Sequence, residues 1–224
     1  MNYLWEKFNI KTFSAETIVF VDGEYQPELS TLPNDLKIAK KYELPVHIIY
    51  VGEIAGENEI NIEILAENQK VFLTEKITTK KPAFLNIFIK NTGKNSEFFG
   101  KTLVQNYGQL KIDIFCEHKG ENTGLFIENR VIAHSNSDTK LSGIVKIEPN
   151  TVGCRSDMIF SALAAPDAKI QFSPAQKIEC PPDSAGHSAN LWRPTEPQIQ
   201  YLRESGLSSI EVKTVLEEAF TNFD

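Results

Sequence analysis

Cysteine is scarce. Cys116, Cys154 and Cys180 are the only three in a chain of 224 residues, unevenly spaced and without a CxxC pair. Such a set builds no disulfide framework, and its spacing defines no zinc site. Basic runs are equally sparse. Lys40-Lys41 and Lys80-Lys81 are isolated pairs, and the formal charge is -7. This balance argues against nucleic acid as the main partner, because phosphate binding needs clustered Lys and Arg. No stretch approaches the roughly 18 apolar residues of a membrane span. The opening MNYLWEKFNIK has no apolar run of signal-peptide length. There is no P-loop, so the chain is not itself an ATPase. What remains is a protein expected to be soluble and cytoplasmic, with reduced thiols and no membrane contact. Its hydrophobic content of 41% is enough for a packed core.

The sequence does hold a long series of strand patterns. Residues 1–43 read as a lead-in, with Trp5 and Phe8 at helical spacing and a hairpin in IVFVDGEYQP. Asp22-Gly23 supplies the two central residues of that hairpin, where positive φ is needed. A short helix is expected near Asp35 to Lys41. From about 44 to 190 the chain reads as strand after strand, including VHIIYVGE, EINIEIL, KVFLTEKI, FLNIFIK, QLKIDIF, GLFIENRVIA, KLSGIVKIE and AKIQFS. Ile60, Ile62 and Ile64 alternate with Asn61 and Glu63, and Ile112 and Ile114 with Lys111 and Asp113. Period-two alternation buries one face. No amphipathic helix separates the strands, which rules against a doubly wound α/β sheet. Sandwich, barrel and β-helix stay open on pattern alone.

Residues 191–224 change character. Thr195-Glu196-Pro197-Gln198 has the form of a capping box with an early proline, and Ser208 with Glu211 forms a second. Gly206 separates the two predicted helices. Val212, Val215, Leu216, Ala219, Phe220 and Phe223 make a stripe at helical spacing.

Several segments resemble the SufB/SufD family of iron–sulfur cluster assembly components. They are FVDGEYQPELSTL, FIENRVIAHSNSDTKLSGIVKIEP, SALAAPDAKIQFSPAQKI, AGHSAN and QYLRESGLSSIEVKTVLEEAF, in the family's order along the chain. The chain is shorter than the family's usual length. It departs from the pattern at Arg155–Phe160, at Gln176-Lys177-Ile178, at Glu204-Ser205-Gly206 and at Ala185, which is often cysteine. The resemblance implies a mainly β protein, a right-handed parallel β-helix with a two-helix C-terminal cap. It implies a SufD-like scaffold, not an enzyme. Such a scaffold dimerises with a SufB-like chain or a second copy near residues 170–190. It docks a SufC-type ATPase through its C-terminal helices, with Tyr201, Leu202, Leu207, Leu216 and Phe220 as anchors. An iron–sulfur cluster would then be built transiently at the dimer interface.

His187 stands where SufD-like chains lend a histidine. Imidazole and thiolate are the side chains that ligate iron and clusters, so His187, Cys180 and Cys154 are the ligand candidates, with Glu179 as a carboxylate partner. Cys154 falls in a loop-like stretch and is expected to be exposed. Cys116 reads as core or rim, His118 and His134 as exposed rim positions, and His47 as structural. Two other readings stay open. One is a β-helix adaptor that has lost cluster chemistry, which the departures at 155–160, 176–177 and Ala185 favour. The other is a carbohydrate-active β-helix enzyme, which would need carboxylate pairs at coil spacing that the sequence lacks.

Overall fold

The computed structural model describes residues 8, 10 and 13–221. Trp5 and Phe223 lie outside the described residues. The chain winds as a parallel β-solenoid of about 7 turns, closed by two helices. One sheet holds β1 (Glu16–Val21), β2 (Glu24–Tyr25), β4 (Val46–Glu53), β6 (Lys70–Thr79), β8 (Glu97–Asn106), β10 (Gly124–Ala133), β12 (Arg155–Ala164) and β14 (Ser184–Trp192). The facing sheet holds β3 (Lys37–Ile38), β5 (Gly56–Ile64), β7 (Ala83–Asn91), β9 (Gln109–His118), β11 (Asp138–Ile147) and β13 (Lys169–Ile178). Every pairing is parallel except the β1–β2 hairpin, whose Asp22-Gly23 turn has φ of +52° and +84°. β1 and β3 extend the two sheets, so part of the 1–43 lead-in joins the solenoid. The short helix expected near Asp35 is absent. Instead Asp35 Oδ1 accepts the Lys37 N–H at 2.9 Å and Ile38 turns into the core as part of β3.

Alternation explains the core. In-register inward residues form ladders such as Leu85–Ile112–Leu141–Phe172, so each coil covers the apolar row of the one before it. One corner is held by asparagines 27 residues apart. Asn68, Asn95 and Asn122 all adopt positive φ, near +55°, and the amides of Asn95 and Asn122 each donate to the preceding Asn at 3.1 Å. Asparagine tolerates this left-handed conformation and satisfies its neighbour at once. At the next coil the position is Gly153, at φ +72°, where a Cβ would sit 2.0 Å from Asn122 Oδ1.

One inward row is polar. Tyr50, Glu75, Thr102 and Asn129 stack in register inside the solenoid. Thr102 donates to Glu75, which is fully buried, and burial raises the Glu75 pKa to about 7. Its other carboxylate oxygen and both amide atoms of Asn129 lack a partner.

The cap is α1 (Glu196–Glu204) and α2 (Ser209–Thr221), joined through Gly206. Both predicted starts hold. Gln198 Oε1 accepts the Thr195 N–H at 2.9 Å, and Glu211 Oε2 accepts the Ser208 N–H at 2.8 Å. Val212 is buried, and with Leu216 and Ile199 it lines an apolar cleft of about 330 Å³ against Ile132 and Leu163. Two arginines fasten the cap. Arg193 donates to the carbonyls of Ala165 and Ala168, and Arg130 donates to the Phe220 carbonyl at 2.6 Å while lying over its ring.

Candidate functional site

The solenoid ends on β13 and β14, and no described strand pairs with their outer edges. The register of β14 on β12 settles where His187 points. Met158 and Phe160 face the core and pair with His187 and Ala189, so Ala185, His187, Ala189 and Leu191 form the last inward row. With no further coil above it among the described residues, this row is open. His187 is exposed and Leu191 is 48% exposed. Opposite, Ile178 ends the inward row of β13 at 46% exposure, and Phe172 is half-buried. Gln176 spans the mouth, donating to the Gly186 carbonyl at 2.9 Å. The histidine thus stands on an apolar, unfinished end of the core, with its ring available to a second molecule.

The other candidates lie at one corner of this end. Cys180 is half-buried just after β13, beside the exposed Pro181. Glu179 is exposed and pairs with Lys177 at 3.2 Å and Lys146 at 3.8 Å. Cys154 is one coil deeper, and its carbonyl accepts the Asp183 N–H at 2.9 Å. Its expected exposure is wrong: Cys154 is fully buried, with its thiol near Thr123 Oγ1 and the Gly120 and Thr151 carbonyls. The physical reason is the turn geometry. Ser96, Thr123 and Cys154 follow the left-handed corner residues and turn inward at each coil, where a small side chain fits. Among the described residues, no group of three or more His, Cys, Asp or Glu is placed to hold a metal ion.

The remaining histidines are structural. His118, expected at an exposed rim, is fully buried. Its Nδ1 lies 2.7 Å from Thr123 Oγ1, which donates to the Gly120 carbonyl, so Nδ1 carries the proton. Burial lowers its pKa to about 4. His134 is half-buried, stacked on Tyr107 at 3.8 Å and bonded to Gln105 at 2.6 Å. Its pKa is lowered to about 4 by burial and then by Lys213. His47 is buried beside Thr74, as expected of a structural residue. Cys116 is core, and burial pushes its thiol pKa up.

On the cap, Leu202, Leu207, Leu216 and Phe220 are half-buried, whereas Tyr201 is 70% exposed. Leu216 lines the cleft against the solenoid, and Phe220 is tied to Arg130. Of the five predicted anchors, Tyr201 is the one facing solvent. Ile210, not singled out in the sequence, is still more exposed. Its place in the predicted helix between Ser208 and Val212 was the available signal.

The class is thus a helix-capped parallel β-solenoid with a histidine on its open end. Residues 64–220 match the family model described as SUF system FeS cluster assembly, SufBD core domain. Among curated proteins, the chain is similar to the iron-sulfur cluster assembly SufBD family protein ycf24 of Porphyra purpurea, 24% identical over 160 residues, which is 69% of this chain and 32% of that protein. The ycf24 protein of Trieres chinensis is 27% identical over 146 residues, covering 62% of this chain and 29% of its own length. The chain belongs to the SufBD family. The matched stretch spans about a third of the length of these relatives. No helix among the described residues is long and apolar enough to cross a membrane.

Proposed function

We propose that this chain is a SufD-like scaffold subunit without catalysis of its own. In this reading it pairs through the open solenoid end with a SufB-like chain or a second copy, and its cap docks a SufC-type ATPase. The iron–sulfur cluster is cargo assembled at the shared end. One observation carries the proposal: His187 is exposed on the last inward row, flanked by Leu191 and Ile178 and by the unpaired edges of β13 and β14. Unpaired edges and exposed apolar rows are features that proteins normally cover. A partner strand there places His187 inside an interface, where imidazole can ligate iron. Cys180 and Glu179 sit at the corner of the same end. Family membership supports the cluster-assembly role.

Co-purification with the SufC-type and SufB-like proteins of the same genome tests this. Tyr201→Ala with Ile210→Asp is expected to release the ATPase and keep the SufB-like chain. Leu191→Asp is expected to do the reverse. His187→Ala is expected to preserve both complexes and lower the iron and sulfide retained after reconstitution. If neither protein is retained by the wild type, the scaffold reading fails. Binding with no effect of His187→Ala on cluster content points to an adaptor that has lost cluster chemistry.

A further inference from the structure

The outer face of the sheet containing β5, β7, β9 and β11 is bare in a specific pattern. The cap and the described N-terminal residues Phe8, Ile10 and Phe13 lie on the other sheet. On this one, Phe84, Phe88 and Ile144 are 45%, 41% and 44% exposed. Outward residues stack in four rows across β5, β7, β9 and β11. These are Glu57–Phe84–Lys111–Lys140, Glu59–Asn86–Asp113–Ser142, Asn61–Phe88–Phe115–Ile144 and Glu63–Lys90–Glu117–Lys146. A hollow between Phe88, Phe115, Lys90 and Glu117 lies near the middle.

We propose that this face is a self-association surface whose occupant is a second copy of the chain, related by a two-fold axis parallel to the strands and lying between β7 and β9. Such an axis lays each row on its own reverse. Lys90 then meets Glu117 of the second copy, Glu63 meets Lys146, Glu57 meets Lys140, and Asn86 meets Asp113. Phe88 packs on Phe115, and Phe84 covers Lys111. Across these four strands no like charges oppose each other; one strand further out, at the margin of the face, Lys37, paired with Glu63, meets Lys177, paired with Glu179. Moving the axis onto β9 puts Glu117 on Glu117 and Lys111 on Lys111. An axis between β9 and β11 sets Lys111 on Lys140 and Lys90 on Lys177. An axis between β5 and β7 avoids like charges but fully opposes only those two strands, since β3 has two residues. The charges are already partly paired within the chain, Lys90 with Glu63 at 2.8 Å and Lys119 with Glu117 at 3.3 Å. Across the dimer they therefore set register more than affinity.

Four strands spaced about 4.8 Å, each offering seven residues at about 3.3 Å, give on the order of 450 Å² per copy. That is below the ~800 Å² per partner of a stable interface, so the dimer is weak and fills only at high concentration.

Sedimentation equilibrium of the full chain up to several hundred micromolar tests the proposal. Carrying it out in a Leu191→Asp background separates it from pairing through the open end. The Leu191→Asp protein is expected to dimerise. Lys90→Glu weakens that dimer at least about tenfold, because symmetry repeats the repulsive contact twice. Lys90→Glu with Glu117→Lys restores it, since the swapped charges meet again across the axis. Phe88→Ser, also weakening, checks that apolar contact contributes, and circular dichroism confirms that each variant folds. A Leu191→Asp protein that stays monomeric overturns the proposal and leaves the face to a different protein. So does a dimer indifferent to Lys90→Glu, or one that the charge swap fails to restore.

Discussion

The two ends of the solenoid are built from the same coil and finished differently. At the start, the β1–β2 hairpin and the loop after it fold back over the core. Phe20, Tyr25, Leu32 and Leu36 pack on it, and the Tyr25 hydroxyl donates to the Leu32 carbonyl at 2.7 Å. At the other end the inward rows of β13 and β14 stop uncovered, and the cap docks on the side of the stack. A chain able to close one end locally leaves the other open, with a histidine on it. On the proposed function, stability and recognition are separated along the axis, and substitutions should sort accordingly.

The largest expected contrast is between neighbouring coils. Phe160→Ala, one coil below the open row and fully buried against Phe172, should cost about 3–5 kcal/mol in urea unfolding. Leu191→Ala on the open row should cost well under that in the isolated chain. Equal costs would show that the end is covered after all.

Next is the buried carboxyl. Below its ordinary value of 4.5, Glu75 is protonated in both folded and unfolded chains. Between 4.5 and about 7 the folded state holds the extra proton, so stability falls as pH rises through this window. The full loss is about 3 kcal/mol above pH 7, from roughly 1.4 kcal/mol per pKa unit. Glu75→Gln should abolish that decline, which denaturation at pH 5 and pH 8 would reveal. The buried histidines act in the opposite direction. His47 and His118, both lowered to about 4, contribute stability that is complete above pH 6.5 and lost as pH falls toward 4. The two windows overlap between pH 4.5 and 6.5, where the histidine gain on raising pH opposes the Glu75 loss, so the Glu75 contribution is read from the difference between wild type and Glu75→Gln at each pH.

Asn95→Ala removes the middle of the asparagine ladder and puts alanine at positive φ. A loss of about 1–2 kcal/mol in thermal or urea unfolding is expected, from backbone strain and lost hydrogen bonds. The smallest effect should be His187→Ala, within about 0.5 kcal/mol, because an exposed side chain on an open row supports little of the fold. A large loss there would assign the histidine to structure.

Much of this was legible in the sequence. Period-two alternation marks most of the strands, Asp22-Gly23 the hairpin, and the two capping boxes the cap. β12 was not, because RSDMIFSALA mixes small and apolar residues at positions on both faces. The fate of Cys154 was hidden for a related reason. The 27-residue interval that aligns Ser96 with Thr123 lengthens before Cys154, so the corner series is broken on paper and continuous in space. The side on which His187 projects depends on register against Met158, a long-range fact that local alternation does not contain. The interval between Asn68, Asn95 and Asn122 was the unread signal, since it counts coils directly.

That interval makes the molecule a ruler. One period moves the chain up by a single rung of about 4.8 Å and returns every side chain to its original face. Joining residue 94 to residue 122 would delete one rung and keep both ends intact, bringing the cap and the open row closer to the hairpin by that distance. Length is therefore an independent variable in this architecture, adjustable in whole steps without rewriting either terminus. Coils of 25 and 31 residues also occur in this chain, so extra residues are absorbed at the corners, whereas an odd-numbered edit inside a strand would turn its apolar row toward water.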